Sequence, residues 1–410
     1  MPATTASLVS QFAADVNRAH ATEHGVVSPL GLWLLLALTA PSATGAHRSD
    51  LEAALGTDAR DAADRAAALL ADAHPAVATA VALWTRARFV DAARHRALAA
   101  TLPAAVAVGA MPTQAEADRW AAEHTGGLLT RFPLDLDDDA AVVLASALAA
   151  KVSWLEPFDD APASDLGGEF GQRTALALRA PAGHDVALLD TDAAGPVAAH
   201  AAESATGLRV LSVMAGPDVP AAAVHDAAAQ VAAALDVEAP GARRLDVFDL
   251  PTGPGAAWDV AETREEILGA HGDRHTTWTA YLAPWSAESR HDLAGAPGVR
   301  AALATLTGLL SPAAGSGDGA ATQVARAEYT REGFAAAAVT AMGIRATGMP
   351  MPRLVTHRRV TVRFNRPYAV VALARATAPD PARPWDRRTV AGPAWDGVPV
   401  FSAWVARPGA

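Results

Sequence analysis

The chain has 410 residues, 51% of them hydrophobic and 19% charged, with a formal net charge of −11 and a pI near 5.6. That hydrophobic content excludes wholesale disorder, and the acidic balance argues against a nucleic-acid partner. The absence of cysteine excludes both a disulfide framework and a thiol nucleophile.

From the N-terminus, Leu8, Phe12 and Val16 stand at amphipathic helical spacing, and the first twenty residues lack the continuous apolar core of a signal peptide. The expectation is a soluble, cytoplasmic protein. Helical periodicity runs from about 5 to 72 and returns around 113 to 130. The most apolar run, near Leu30 to Ala40, is too short to cross a bilayer, so no membrane partner is expected. Strand-like runs follow near 141–153 and 208–214. Asp259 to Leu268 and Val299 to Leu310 read as helices, with Glu262, Glu265 and Glu266 spaced along one exposed face. Gly315 to Gly319 reads as a turn, Val355 to Val362 alternates, and Tyr368 to Ala374 is a buried-strand candidate. Ala-rich passages at 60–73, 197–205 and 221–234 leave their element type open. No Pro/Ser-rich linker of convincing length divides the chain, although length alone suggests two or three domains.

Signatures of catalysis are thin. There is no G-x-S-x-G elbow, phosphate-binding loop or H-E-x-x-H pair. His271 and His275 stand four apart without a third ligand, and Asp135, Asp137, Asp138 and Asp139 lack the spacing of a calcium loop, so no metal or cofactor is expected. His357-Arg358-Arg359 reads as solvated charge beside a strand. Trp33, Trp84, Trp120 and Trp154 read as core packing.

The most informative segment is Glu332, Gly333, Phe334, Ala335, Ala336, Ala337, Ala338, Val339 and Thr340, a run of small residues after a glycine, with the composition of a hinge. Split by strand alternation, one face carries Phe334, Ala336, Ala338, Thr340, Met342 and Ile344, and the other carries the only charge, Arg345. The segment is therefore able to become a buried strand without burying an unpaired ion. The prolines at 350 and 352 end any such strand.

Several segments resemble the serpin family, in that family's order. Gly25 to Trp33, with Ser28, Pro29 and Leu30, resembles the entry to its central buried helix, and Ala80 to Trp84 its first strand. Trp120 with Thr125-Gly126-Gly127 resembles a following helix; Val143 to Phe158, with Lys151 and Trp154, a long central strand. Phe364-Asn365-Arg366-Pro367-Tyr368 and Pro399-Val400-Phe401 resemble the two closing strands. Residues 160–310 match only loosely. The bias toward arginine, with Lys151 the single lysine, and toward alanine suggests a GC-rich coding sequence, as in a bacterial member of the family.

The resemblance implies an α+β fold over residues 1–410 as one domain: a large central sheet, two smaller sheets, eight or nine helices and an exposed reactive-centre loop. It implies a non-enzymatic, monomeric inhibitor of a serine-type protease, cut once in that loop, whose freed hinge then enters the sheet. Family spacing from Gly333 sets the cut between Thr347 and Gly348; Arg345 would suit a trypsin-like protease, and Met349 or Met351 an elastase- or subtilisin-like one. The family's hydrogen-bonded shutter and breach map onto Ser28, Gly31, Ser146, Gln323 and Trp154, with Gly31 replacing a serine, Ser146 an asparagine and Gln323 a histidine. Phe334 replaces a threonine and is expected to overpack the entrance and slow insertion. The rival reading is a non-inhibitory binding or carrier protein of the same fold, cleaved as a plain substrate.

Overall fold

Short polar residues start many of the helices in the computed structural model, which describes residues 3–268, 272–314, 317, 319–334 and 352–409. Thr4 accepts the Ser7 amide at the start of α1 (Thr5–His20), and Ser28, after strand β1 (Gly25–Val27), accepts the Gly31 amide at the start of α2 (Pro29–Thr39). Helix α3 (Gly45–Leu55) ends on left-handed Gly56, and Asp58 caps α4 (Ala59–Ala71). Strand β2 (Val77–Thr85), α5 (Ala92–Thr101) and β3 (Val106–Ala110) lead to α6 (Gln114–His124), opened by a reciprocal Thr113–Glu116 capping box. The chain continues through β4 (Val142–Ala150), β5 (Val152–Ser153), β6 (Asp159–Pro162), α7 (Ala163–Leu166), α8 (Gly168–Arg173) and β7 (Leu176–Arg179).

The second half begins with β8 (Asp185–Thr191), β9 (Gly195–Glu203), β10 (Leu208–Met214) and α9 (Ala221–Ala234). Then come β11 (Ala242–Arg244), β12 (Gly253–Pro254), β13 (Trp258–Leu268), β14 (Arg274–Leu282), β15 (Trp285–Asp292) and α10 (Val299–Thr307). The last strands are β16 (Thr322–Tyr329), β17 (Gly333–Phe334), β18 (Pro352–Arg363), β19 (Tyr368–Ala374), β20 (Thr377–Asp380), β21 (Arg383–Thr389) and β22 (Val398–Val405). Among the described residues there are ten α-helices, eight of them nine residues or longer.

Seven strands in the order β1-β22-β19-β10-β9-β8-β11 form the most deeply buried sheet. Every residue of β10, β19 and β22 is buried, which is why β19 reads as a continuous apolar run and the other two are interrupted only by Arg209, Ser212 and Ser402. One face packs on α9 and the other joins the main core around α2, whose residues are almost all buried. A six-stranded sheet has the order β12-β13-β18-β14-β7-β6. The remaining large sheet is in two parts, β3-β2-β4 and β15-β16-β17-β5, whose strands β4 and β5 are consecutive in the chain.

Two expectations are corrected here. Asp259 to Leu268 is the strand β13, not a helix, paired along its whole length with β18. The glutamates at 262 and 265, still partly open to solvent, meet cross-strand arginines: Glu262 bonds Arg358 at 2.7 Å, and Glu265 takes both Arg359 and His357. His357 and Arg358, read as solvated, are buried, because β18 is an interior strand flanked by β13 and β14. Among the described residues no helix is long and apolar enough to cross a membrane.

Candidate functional site

Strands β4 and β16 flank a seam in the divided sheet. Among the described residues no ladder joins them, and the wedge that links the two halves is β17. Gly333 and Phe334, the first small-residue hinge positions after Glu332, pair with Ser153 and Val152 on one side, and Phe334 pairs with Tyr329 on the other. The reversal from β16 into β17 is held by Thr330, whose amide and hydroxyl both donate to the Gly333 carbonyl at 3.0 Å. Gly333 is obligatory for steric reasons: a Cβ there would stand 2.2 Å from the Val152 carbonyl oxygen. Phe334 is 3% exposed and part of the main core. Phe334, expected to overpack the entrance, is inside and paired with Tyr329, and its burial helps to hold β17 in the seam.

The turn after β5 grips the same segment. Trp154 donates its backbone amide to Glu332 and its indole N–H to the Thr330 carbonyl, both at 3.0 Å. Phe158 and Arg331 exchange two bonds at 3.0 Å, the Phe158 amide to the Arg331 carbonyl and the Arg331 Nε to the Phe158 carbonyl. Trp154, Phe158 and Tyr329 form an aromatic triangle with centroids 5.1 to 6.2 Å apart. Under Phe158 lie two imidazoles, His184 and His200, bonded Nδ1 to Nε2 at 3.0 Å. Burial pushes His184 down to about 4, against the opposing pull of the Glu156 carbonyl, and holds His200 well below the usual histidine range.

Lower in the seam, a cavity of about 80 Å³ opens between β4 and β16, lined on the core side by Ser28, Gly31, Ser146 and Gln323. Gln323 on β16 clasps Ser28 twice, accepting its amide at 2.8 Å and donating to its carbonyl at 3.0 Å. The Ser28 hydroxyl donates to Val400 at 2.8 Å, and Ser146 on β4 donates to the Gly31 carbonyl at 3.2 Å. Both strands are thus fastened to the start of α2 by contacts of their own. A side chain at 31 would press on Ser146 Oγ and Leu148 at 3.2 Å, which accounts for glycine there beside Ser146.

Of the predicted site residues, Glu332, Gly333, Phe334 and Trp154 meet at the top of the seam, and Ser28, Gly31, Ser146 and Gln323 at its middle. Ala335, Ala336, Ala337, Ala338, Val339, Thr340, Arg345, Thr347, Gly348, Met349 and Met351 lie outside the described residues, as does His271. Sequence reasoning missed Thr330 and the His184–His200 pair. Thr330, three residues before Gly333, carried a turn signal; the histidines, sixteen residues apart, one just before β8 and one on β9, carried none.

The family model described as serpin, serine protease inhibitor, matches residues 4–165. The serpin-Z6A protein of Oryza sativa subsp. japonica is 32% identical over 167 residues, which span 37% of this chain and 42% of that relative. Human thyroxine-binding globulin complexed with thyroxine is similar in structure, with a TM-score of 0.62 at 12% identity over 99% of both chains. The thermophilic serpin tengpin in its native state has a TM-score of 0.61 at 14% identity, over 98% of this chain and 92% of that one. Serpin48 of the insect Tenebrio molitor has a TM-score of 0.57 at 13% identity, over 98% and 97%.

Proposed function

We propose that this chain, which has the serpin fold over its whole length and belongs to the serpin family by the sequence of residues 4–165, is a single-use inhibitor of a serine-type endopeptidase. The observation that carries the reading is β17: the start of the predicted hinge already lies as a strand between β16 and β5, above a seam that no other described strand fills.

The two ends of the segment 335–351 are anchored very unequally. On its N-terminal side stands a strand of two residues, and on its C-terminal side β18, paired from Pro352 to Val362 with β13 and from Thr356 to Arg363 with β14. Cleavage between them would leave the N-terminal arm free to extend β17 while β18 stays in its sheet. Continuing the β17 register would pair Ala336 with Ala150 and Ala327, and Thr340 with Ser146 and Gln323. The inward face of an inserted arm would then be alanine where the flanking strands are alanine, and a hydroxyl where they carry a hydroxyl and an amide. Each new ladder hydrogen bond contributes about 1 kcal/mol net, and burial of Met342 and Ile344 roughly 1.5–3 kcal/mol each.

In this mechanism the chain supplies no catalytic group. The protease's serine attacks the scissile carbonyl carbon, the peptide C–N bond breaks, the C-terminal fragment is released as a protonated new amino terminus, and the N-terminal arm is left esterified to the enzyme. Insertion of the arm carries the acyl-enzyme away from the loop's starting position before water attacks. The target class is trypsin-like if the cut follows Arg345 and elastase- or subtilisin-like if it lies near Thr347–Gly348 or Met349; the inhibitor acts as a monomer. Incubation with one protease of each class, followed by a denaturing gel, tests this. An adduct of chain plus protease that survives detergent is the expected result; a clipped chain with no adduct in all three would favour a non-inhibitory binding or carrier protein.

A further inference from the structure

The ribbon formed by β13 and β18 divides into a matched root and an unmatched tip. At the root Asp259, Glu262 and Glu265 are bonded to Arg363, Arg358 and Arg359. At the tip Arg264, Glu266 and Arg353 are exposed and have no ion-pair partner among the described residues. Two of the five exposed large apolar side chains among the described residues, Leu268 at 65% and Leu354 at 54%, stand there as diagonal neighbours on one face, since Leu354 pairs with Glu266. Only β12 covers the outer edge of β13, and only at Asp259 and Val260, so among the described residues that edge is unpaired from Ala261 onward. Isolated exposed leucines are ordinary, but a pair ringed by free charges of both signs on an open sheet edge has the make-up of a contact surface.

Its position selects the occupant. Leu268 is paired in register with Pro352, the residue that follows the segment 335–351. The candidate cut sites from Arg345 to Met349 lie within seven residues of Pro352, at most about 24 Å of extended chain. A protease of ordinary domain size has a radius of gyration of roughly 17 Å, so one engaged at any of those bonds is within reach of the ribbon tip. We propose that the tip, Leu268 and Leu354 with Arg264 and Glu266 on the same face, is a second docking surface for the target protease, contacting an apolar spot with charged neighbours beside its cleft and raising the rate at which the loop is found and cut. This rests on reading residues 335–351 as the segment a protease cleaves.

The test uses the full chain and the protease, of the trypsin-, elastase- and subtilisin-like three, that cuts it fastest. The rate constant for cleavage within 335–351 is measured for the wild type, for L268S/L354S, and for E266R at low and high salt, with melting curves to verify folding. Cleavage slowed five-fold or more in L268S/L354S, with a change of at least three-fold in E266R that fades at high salt, supports the docking surface. Unchanged rates in both folded variants overturn it, as does a change confined to oligomeric state, which would assign the tip to a second copy. The inhibitor reading is scored separately, by the fraction of cleaved chain that becomes adduct; cleavage only outside 335–351 overturns both.

Discussion

Gly333 has no room for a side chain, because β17 approaches β5 so closely that the Val152 carbonyl occupies the space. Gly333→Ala is expected to expel β17, uncover Phe334 and destabilise the native fold by about 1–3 kcal/mol, read from the urea midpoint and from Trp154 fluorescence. At the shutter, Gln323→Ala removes both bonds to Ser28 and leaves a largely buried backbone amide and carbonyl without partners, a cost of about 1–3 kcal/mol for each group not rescued by water. Gln323→Glu keeps the acceptor but loses the donor, and should fall between the two in the same urea measurement. Buried histidines set the pH response. His184 and His225 are pushed down to about 4 by burial and His200 is held well below the usual histidine range by the same cause, so the unfolded chain takes up protons near 6.5 that the folded chain refuses. Their contribution is intact above pH 6.5 and is lost as the pH falls toward 4, at up to about 1.4 kcal/mol per pH unit for each histidine. Urea midpoints across that range should decline, and His200→Phe should make the decline shallower.

At the scale of elements, the unequal anchors of the 335–351 segment have opposite consequences for mutation. Arg358 sits inside β18, bonded to Glu262 at 2.7 Å and to the Leu250 carbonyl at 2.8 Å, with Phe248 beneath its guanidinium. Arg358→Ala should cost about 1–3 kcal/mol, since Glu262 is part-exposed and solvent recovers some of the loss, and should expose the β13 ribbon to limited proteolysis. On the other arm, Thr340→Arg would direct a charge at the Ser146–Gln323 pair if β17 lengthens in register. The expected outcome is normal cleavage with the adduct fraction reduced at least ten-fold; undiminished adduct would rule out this register. Helical spacing misled at β13 because Glu262, Glu265 and Glu266 fit a helix face as well as a strand whose cross-strand arginines are a hundred residues away in sequence.

For the molecule as a whole, no described strand fills the seam between β4 and β16, and a strand added there would supply further ladder hydrogen bonds and apolar contact. Cleavage within 335–351 should therefore raise stability. A net gain of several kcal/mol corresponds to a rise in melting temperature on the order of 10 °C, measurable by comparing intact and cleaved chain by calorimetry. An unchanged melting temperature after a cut at the candidate bonds would mean that the arm stays outside the sheet.

Much of this molecule is legible in its residues alone. The run from Tyr368 to Ala374 is apolar throughout because it is buried on both faces, Leu8, Phe12 and Val16 mark the inner side of α1, and the motifs around Ser28 and Trp154 resemble those of the family. Local chemistry of this kind is carried by neighbours in sequence, and so survives without a structure. What only the tertiary structure decided depends on contacts between distant segments: that Phe334 is already seated beside Tyr329, that Gln323 clasps the Ser28 backbone, that His357 and Arg358 are interior, and that two histidines share one hydrogen bond beneath Phe158. Pairing register and burial are properties of how strands meet across the fold, and no spacing along a single strand encodes them.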